Sequence, residues 1–162
     1  MIELASPLHP QVLESDNMGP RDINTMVEIR KWDLSQYNYC KTTAYFSEIY
    51  DLKVSSHLLI ERDGSLVQFV PFNKKAWHAG VSSFKGRENC NEFSIGIELE
   101  GTDENTYTED QYRALIDVTK ELMFVFRDIK KENIVGHSDI APGRKTDPGK
   151  AFDWHYYLSN LV

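Results

Sequence analysis

Phe93-Ser94-Ile95-Gly96-Ile97-Glu98-Leu99-Glu100 alternates apolar residues with small or acidic ones, the period of a β-strand that turns one face to a core. Ile95, Ile97 and Leu99 fall on one side of it, and Gly96, Glu98 and Glu100 on the other. A pair of carboxylates on one strand face, beside a glycine that lets another group approach closely, is a candidate site. A strand side that merely faces solvent would read the same from these eight residues alone, so the neighbouring segments decide.

Upstream, His57-Leu58-Leu59-Ile60 and Leu66-Val67-Gln68-Phe69-Val70 are two apolar runs joined around Asp63-Gly64, which predicts a β-hairpin whose second strand ends at Pro71. The connection from Asn73 to Glu92 is long and glycine-containing; its Trp77 and Phe84 argue against disorder and for a functional loop. Further upstream, Thr25-Met26-Val27-Glu28-Ile29 reads as a strand and about Thr42 to Tyr50 as a helix. Residues 1–22 carry Pro7, Pro10, Gly19 and Pro20 and read as an irregular arm.

Downstream, Thr108-Glu109-Asp110-Gln111 is a capping box that should open a helix running to about Arg127. Tyr112, Leu115, Ile116, Leu122, Met123 and Phe126 share one face of it and form a core stripe with no chemistry of its own. Asp153 caps a last short helix expected to reach Val162. The order β, α, β-hairpin, β, α, β, α predicts an α/β protein in the α+β sense, a mixed sheet with helices packed on it, in a single domain over residues 1–162.

Composition narrows the function. Eighteen basic against twenty-five acidic residues give a net charge of −7, which argues against nucleic acid as a partner. A hydrophobic share of 41% places the chain among globular proteins. Cys40 and Cys90 are far apart and fit reduced thiols better than a disulfide framework. With neither a signal-like amino terminus nor a membrane-length apolar run, the expectation is a cytoplasmic monomer with no membrane partner.

The densest chemistry lies in Gly136-His137-Ser138-Asp139-Ile140-Ala141-Pro142-Gly143-Arg144-Lys145-Thr146-Asp147-Pro148-Gly149. Its glycines and prolines read as a rigid loop without regular helix or strand, entered from the apolar pair Ile134-Val135. Imidazole and carboxylate together suit zinc, so His137 and Asp147 are candidate ligands. Lys145, two residues before Asp147, would point the same way in an extended loop and bring a cation to a substrate carbonyl.

Three motifs, Trp77-His78-Ala79-Gly80-Val81-Ser82, the strand from Phe93 through Gly101-Thr102, and the loop Gly136–Gly149, closely resemble the AmpD-type N-acetylmuramoyl-L-alanine amidases of the amidase-2 and peptidoglycan-recognition superfamily. The resemblance runs from about Leu52 to Trp154. It implies a mixed sheet carrying helices, a zinc ion in a groove, and cleavage of the amide between the lactyl group of 1,6-anhydro-N-acetylmuramic acid and the L-alanine of the stem peptide, in bacterial cell-wall recycling. By motif, His137 and Asp147 match zinc ligands, Glu98 the catalytic acid/base and Lys145 the group that steadies the developing oxyanion, while His57, Trp77 and His78 match residues that border the substrate groove.

The chain departs from the family at its first zinc ligand, a histidine at the end of the first strand. Here Asn24 to Lys31 contains none. Three outcomes stay open: Glu28 ligates in its place, His9 folds in from the arm, or the chain keeps the groove without metal and binds muropeptides without cleaving them.

Overall fold

The computed structural model describes residues 2–5, 55–101 and 105–161. The strand expected at Thr25–Ile29, the helix expected at about 42–50, Glu28, His9 and Cys40 lie outside the described residues. In chain order the elements are β1 (Ile2–Ala5), β2 (Leu58–Ile60), β3 (Leu66–Gln68), β4 (Ser83–Phe84), β5 (Arg87–Glu88), β6 (Ser94–Leu99), α1 (Glu109–Val125), β7 (Ile134–Gly136), α2 (His137–Ile140) and α3 (Trp154–Ser159).

Five strands form one mixed sheet in the order β3-β2-β6-β1-β7. β2 and β3 are the expected antiparallel hairpin, and β2 runs parallel to β6 with Leu59 opposite Glu98. β1 lies antiparallel to both β6 and β7, with Ile2 opposite Ile97 on one side and Gly136 on the other. This corrects the reading of the first 22 residues as irregular throughout, because Ile2–Ala5 is a strand. Four residues are too few to show a period, and they are ordered by the β6 and β7 edges, whose backbone groups need partners.

The alternation in β6 sorts the two sides of the sheet. Ile95, Ile97 and Leu99, with Leu58, Ile60 and Ile134, pack against Leu115, Ile116 and Leu122 of α1 in the main core. Opposite them, Ala79, Cys90, Phe93 and Ile140 form a smaller apolar cluster, with Val135 packed against it. The core stripe read from the sequence is in place, Met123 at its margin. The capping box forms as expected: Thr108 Oγ1 accepts from the Gln111 backbone N–H at 3.1 Å, and Gln111 Oε1 accepts from the Thr108 backbone N–H at 3.1 Å.

Two boundaries and one connection differ from the sequence reading. β3 stops at Gln68, because the next two backbone N–H groups, of Phe69 and Val70, both turn to the carbonyl of His57. α3 ends at Ser159, where the Asn160 side chain donates to the Tyr156 carbonyl at 2.8 Å. The long connection 73–92 holds a small hairpin, β4–β5, whose turn residues Lys85 and Gly86 have φ of 48° and 82°. Both values are left-handed, as a two-residue turn that matches strand twist requires.

Candidate active site at the end of the last strand

His137 follows β7 directly and opens α2, a single helical turn, which corrects the expectation of a loop with no regular helix. The four residues His137–Ile140 contain neither glycine nor proline, so one turn fits between Gly136 and Pro142. The Asp139 carboxylate accepts the Gly136 N–H at 2.8 Å and satisfies a donor at the start of the turn. The chain then folds back: the Ser138 N–H donates to the Asp147 carbonyl at 3.0 Å. A Cβ at Gly136 would lie 2.8 Å from Pro148 Cδ, so only glycine lets the returning segment lie this close. Tyr107 donates its hydroxyl to the Pro148 carbonyl at 2.8 Å and holds that segment from the other side.

The fold-back brings the two expected ligands together. His137, 1% exposed, has Nδ1 at 3.1 Å from Asp147 Oδ2 and Nε2 at 3.1 Å from the Ala79 carbonyl oxygen. Both partners are acceptors, and a neutral imidazole has one proton. Whichever nitrogen carries it, the other ring nitrogen faces an acceptor with its lone pair. The arrangement is satisfied by a second proton or by a cation at Nδ1. Burial pushes the Asp147 carboxyl up, but the hydrogen bond from His137 and nearby positive charge override it and leave the carboxyl well below the usual range.

A tetrahedral zinc with ligand distances near 2.1 Å separates two ligand atoms by roughly 3.4 Å. The 3.1 Å between Nδ1 and Oδ2 is close to that edge. A backbone carbonyl on the far ring nitrogen also suits a metal-binding histidine, because it fixes the tautomer. His137 and Asp147 therefore fit as two ligands. Among the described residues, no group of three or more His, Cys, Asp or Glu gathers to hold a metal.

Next to this pair runs the segment from Trp77 to Val81. Asn91, 8% exposed, accepts the backbone N–H groups of His78 and Ala79 at 3.0 and 2.8 Å. Arg144 donates to the carbonyls of Ala79 and Val81 at 2.5 and 2.8 Å. Asn91 and Arg144 were not singled out from the sequence, since each acts on the backbone of a remote segment. The ring of His78 lies on Gly96 so closely that any Cβ there would overlap its Cγ. The glycine in β6 does admit a close approach, and the approaching group is that imidazole.

Glu98, two residues beyond Gly96, shares its strand side and is half-buried. Glu100 is committed elsewhere: its Oε2 accepts the Arg62 backbone N–H at 2.9 Å at the end of the hairpin. Lys145 is exposed, its backbone N–H donating to the Ala141 carbonyl at 3.1 Å. Trp77 is 44% exposed, with the Lys75 ammonium 4.0 Å from the centre of its ring.

The two histidines expected to border the groove lie inside the protein instead. His57 is fully buried, its Nδ1 accepting the Gly96 N–H at 3.0 Å and its Nε2–H donating to the Lys74 carbonyl at 2.9 Å. With both nitrogens occupied, it has none left for a ligand. Burial, helped by His78 with its ring 5.3 Å away, pushes His57 down to about 3 against the pull of the Lys74 carbonyl, so the ring is neutral at ordinary pH. His78 is 4% exposed and serves as packing over Gly96.

This chain belongs to the N-acetylmuramoyl-L-alanine amidase family, whose model matches residues 23–150. The 1,6-anhydro-N-acetylmuramyl-L-alanine amidase AmpD of Escherichia coli K12 is 63% identical over 110 residues, which make up 68% of this chain and 60% of that protein. The protein of the same name from Haemophilus influenzae is 54% identical over 121 residues, 75% of this chain and 66% of its own. The chain thus spans about 60–66% of the length of these relatives. Among solved structures, a selenomethionine AmpD derivative superposes with a TM-score of 0.67 at 55% identity, over 74% of this chain and 66% of that one. The Escherichia coli amidase AmiD, solved with anhydro-N-acetylmuramic acid-L-Ala-D-γ-Glu-L-Lys, superposes with a TM-score of 0.68 at 34% identity, over 75% of this chain and 53% of that one.

Proposed function

We propose that this chain hydrolyses the amide between (1,6-anhydro-)N-acetylmuramic acid and the L-alanine of a stem peptide, with zinc held by His137, Asp147 and a third donor. The observation that carries this reading is the buried imidazole of His137 set between two acceptors at 3.1 Å each, one of them the Asp147 carboxylate, an arrangement that a metal cation at Nδ1 satisfies. The family and the muropeptide bound to AmiD supply the substrate class.

Zinc in that position supplies Lewis acidity, polarising the amide carbonyl and lowering the pKa of water. Glu98 takes the proton from the attacking water and delivers it to the departing L-alanine nitrogen, so that the amine leaves neutral. Lys145, exposed and two residues before Asp147, stabilises negative charge on the former carbonyl oxygen. Trp77 offers an aromatic face to the substrate at the edge of the site. A small muropeptide is the partner, and the cytoplasm is where a recycling amidase would meet it.

The test joins metal content to turnover. Protein purified without chelator should hold one equivalent of zinc and release the stem peptide from an anhydro-muropeptide, measured by mass spectrometry. Absence of zinc after zinc addition, with muropeptide still bound and uncleaved, overturns hydrolysis and leaves a binding protein on the same fold. For the third donor, Glu28→Ala should lose metal and activity together if Glu28 ligates, and His9→Ala should do so if the histidine does.

A further inference from the structure

We propose that Lys75, held by Glu92, is a positioning residue for Trp77: its ammonium covers one face of the indole and fixes the ring so that the opposite face is presented to the muropeptide. The inference rests on the functional reading above, in which Trp77 borders the substrate.

The backbone of Trp77 is already fixed. Its N–H donates to the Ser55 hydroxyl at 3.0 Å, and its carbonyl accepts the Ser55 N–H at 3.2 Å. The next two backbone N–H groups, of His78 and Ala79, both go to the Asn91 carboxamide oxygen. Ala76 and His78 are buried and turn inward, so Trp77 between them turns out. Two residues further on, the Ala79 carbonyl lies 3.1 Å from Nε2 of His137, which sets the indole at the border of the candidate site. What remains to be fixed is the pair of side-chain torsions of Trp77 itself.

Lys75 limits those torsions. Its ammonium lies 4.0 Å from the centre of the indole, within cation–π range, and the same ammonium is ion-paired with the Glu92 carboxylate. Without that carboxylate, the flexible lysine stem would carry the ammonium into water. Glu92 ends the helical turn Cys90–Glu92, which also contains Asn91. One turn therefore holds both the backbone that follows Trp77 and the cation on its ring. The Lys75 and Glu92 side chains are 30% and 42% exposed, and a pair so open to water adds little to stability. Its effect is one of direction. With one face of the indole against the ammonium, the exposure left at Trp77 belongs to the other face and the ring edge, an apolar surface that a ligand covers without first paying to order it.

The first readout is affinity for anhydro-N-acetylmuramic acid-L-Ala-D-γ-Glu-L-Lys, the muropeptide bound to AmiD: KM where it is cleaved, the dissociation constant by calorimetry where it is not. Lys75→Met should weaken it about two- to fivefold, the factor to which a half-exposed cation–π contact converts, with kcat and thermal unfolding nearly unchanged. Lys75→Arg, whose guanidinium both pairs with a carboxylate and stacks on an aromatic face, should restore it. Glu92→Ala should act like Lys75→Met. In a Trp77→Ala background Lys75→Met should have no further effect, since the ring it acts through is gone. The second readout needs no ligand. With fluorotryptophan incorporated, the fluorine resonance that disappears in Trp77→Phe should shift in Lys75→Met and move less in Lys75→Arg. An unmoved resonance in Lys75→Met, or a loss of affinity that persists in full in Trp77→Ala, overturns the proposal. Wild-type affinity in Lys75→Met overturns it too and leaves the amidase reading standing. A wild type that binds the muropeptide uncleaved, with both effects present, overturns hydrolysis and supports the positioning role; one that does not bind it overturns both.

Discussion

On the α1 side of the sheet, Ile95, Ile97 and Leu99 of β6 meet Leu115, Ile116 and Leu122, and area removed from water accounts for the contact. On the other side of the same strand, the Ser94 hydroxyl donates to the Cys90 carbonyl and Gly96 lies under the His78 ring, contacts made by a hydrogen bond and a close approach. The first side tolerates a change of shape if volume is kept. The second loses its arrangement when a single Cβ is added, because a methyl at Gly96 occupies the place of the His78 ring. A strand with a period of two serves both demands because its faces are independent.

The largest effect that separates the two sides is expected at the ligands. Asp147→Ala and His137→Ala should each abolish tight zinc binding, read by metal analysis, with the α1 core intact by near-ultraviolet circular dichroism. Retention of full zinc in either variant removes that residue from the site. The converse comes next: Leu115→Ala, at a fully buried position, should cost roughly 3 kcal/mol in urea unfolding and leave zinc stoichiometry unchanged. A loss of zinc with no loss of stability would show that the sides are not independent.

Glu98→Gln should then lower turnover by roughly 100-fold with muropeptide affinity nearly unchanged, since the acceptor is lost and the shape kept. Glu100→Gln, at a carboxylate bonded to the hairpin backbone, should leave turnover near wild type. The reverse pattern would exchange their roles. The smallest effect is a pH dependence on the histidine side. His57 is held near 3 when folded and returns to 6.5 when unfolded, so as pH falls the unfolded chain takes the proton first. The stabilisation is complete above about pH 6.5 and declines through acid, with about 2 kcal/mol lost by about pH 5. Urea unfolding across that range should show the loss in wild type and a flatter profile in His57→Gln; parallel profiles would mean that His57 is not the group responsible.

Much of this was legible in the sequence because its cause is local. The capping box at Thr108, the Asp63-Gly64 hairpin, the β6 alternation and the nearness of His137 to Asp147 all follow from residues within a dozen positions of each other. The unread features are non-local. Nothing near Ile2 announces a strand, since its partners are Ile97 and Gly136, and nothing near His57 announces that Gly96 and Lys74 will take both ring nitrogens. A histidine in a family motif suggested contact with a ligand; burial, set by the whole fold, made His57 and His78 part of the frame instead.

β1 has a consequence for the order in which the protein is made. During synthesis Ile2–Ala5 leaves the ribosome well before the two strands that hold it, β6 and β7. The β2–β3 hairpin, the end of β6 and the start of α1 can meet before β7 emerges, joined where Thr108 Oγ1 donates to the Arg62 carbonyl at 2.7 Å and Gln111 Nε2 to the Glu100 carbonyl at 2.9 Å. Until β7 emerges, β1 seated on β6 has no native partner on its other edge, which is open to pairing with other chains. The strand that joins β6 to β7 is thus made well before either of its partners.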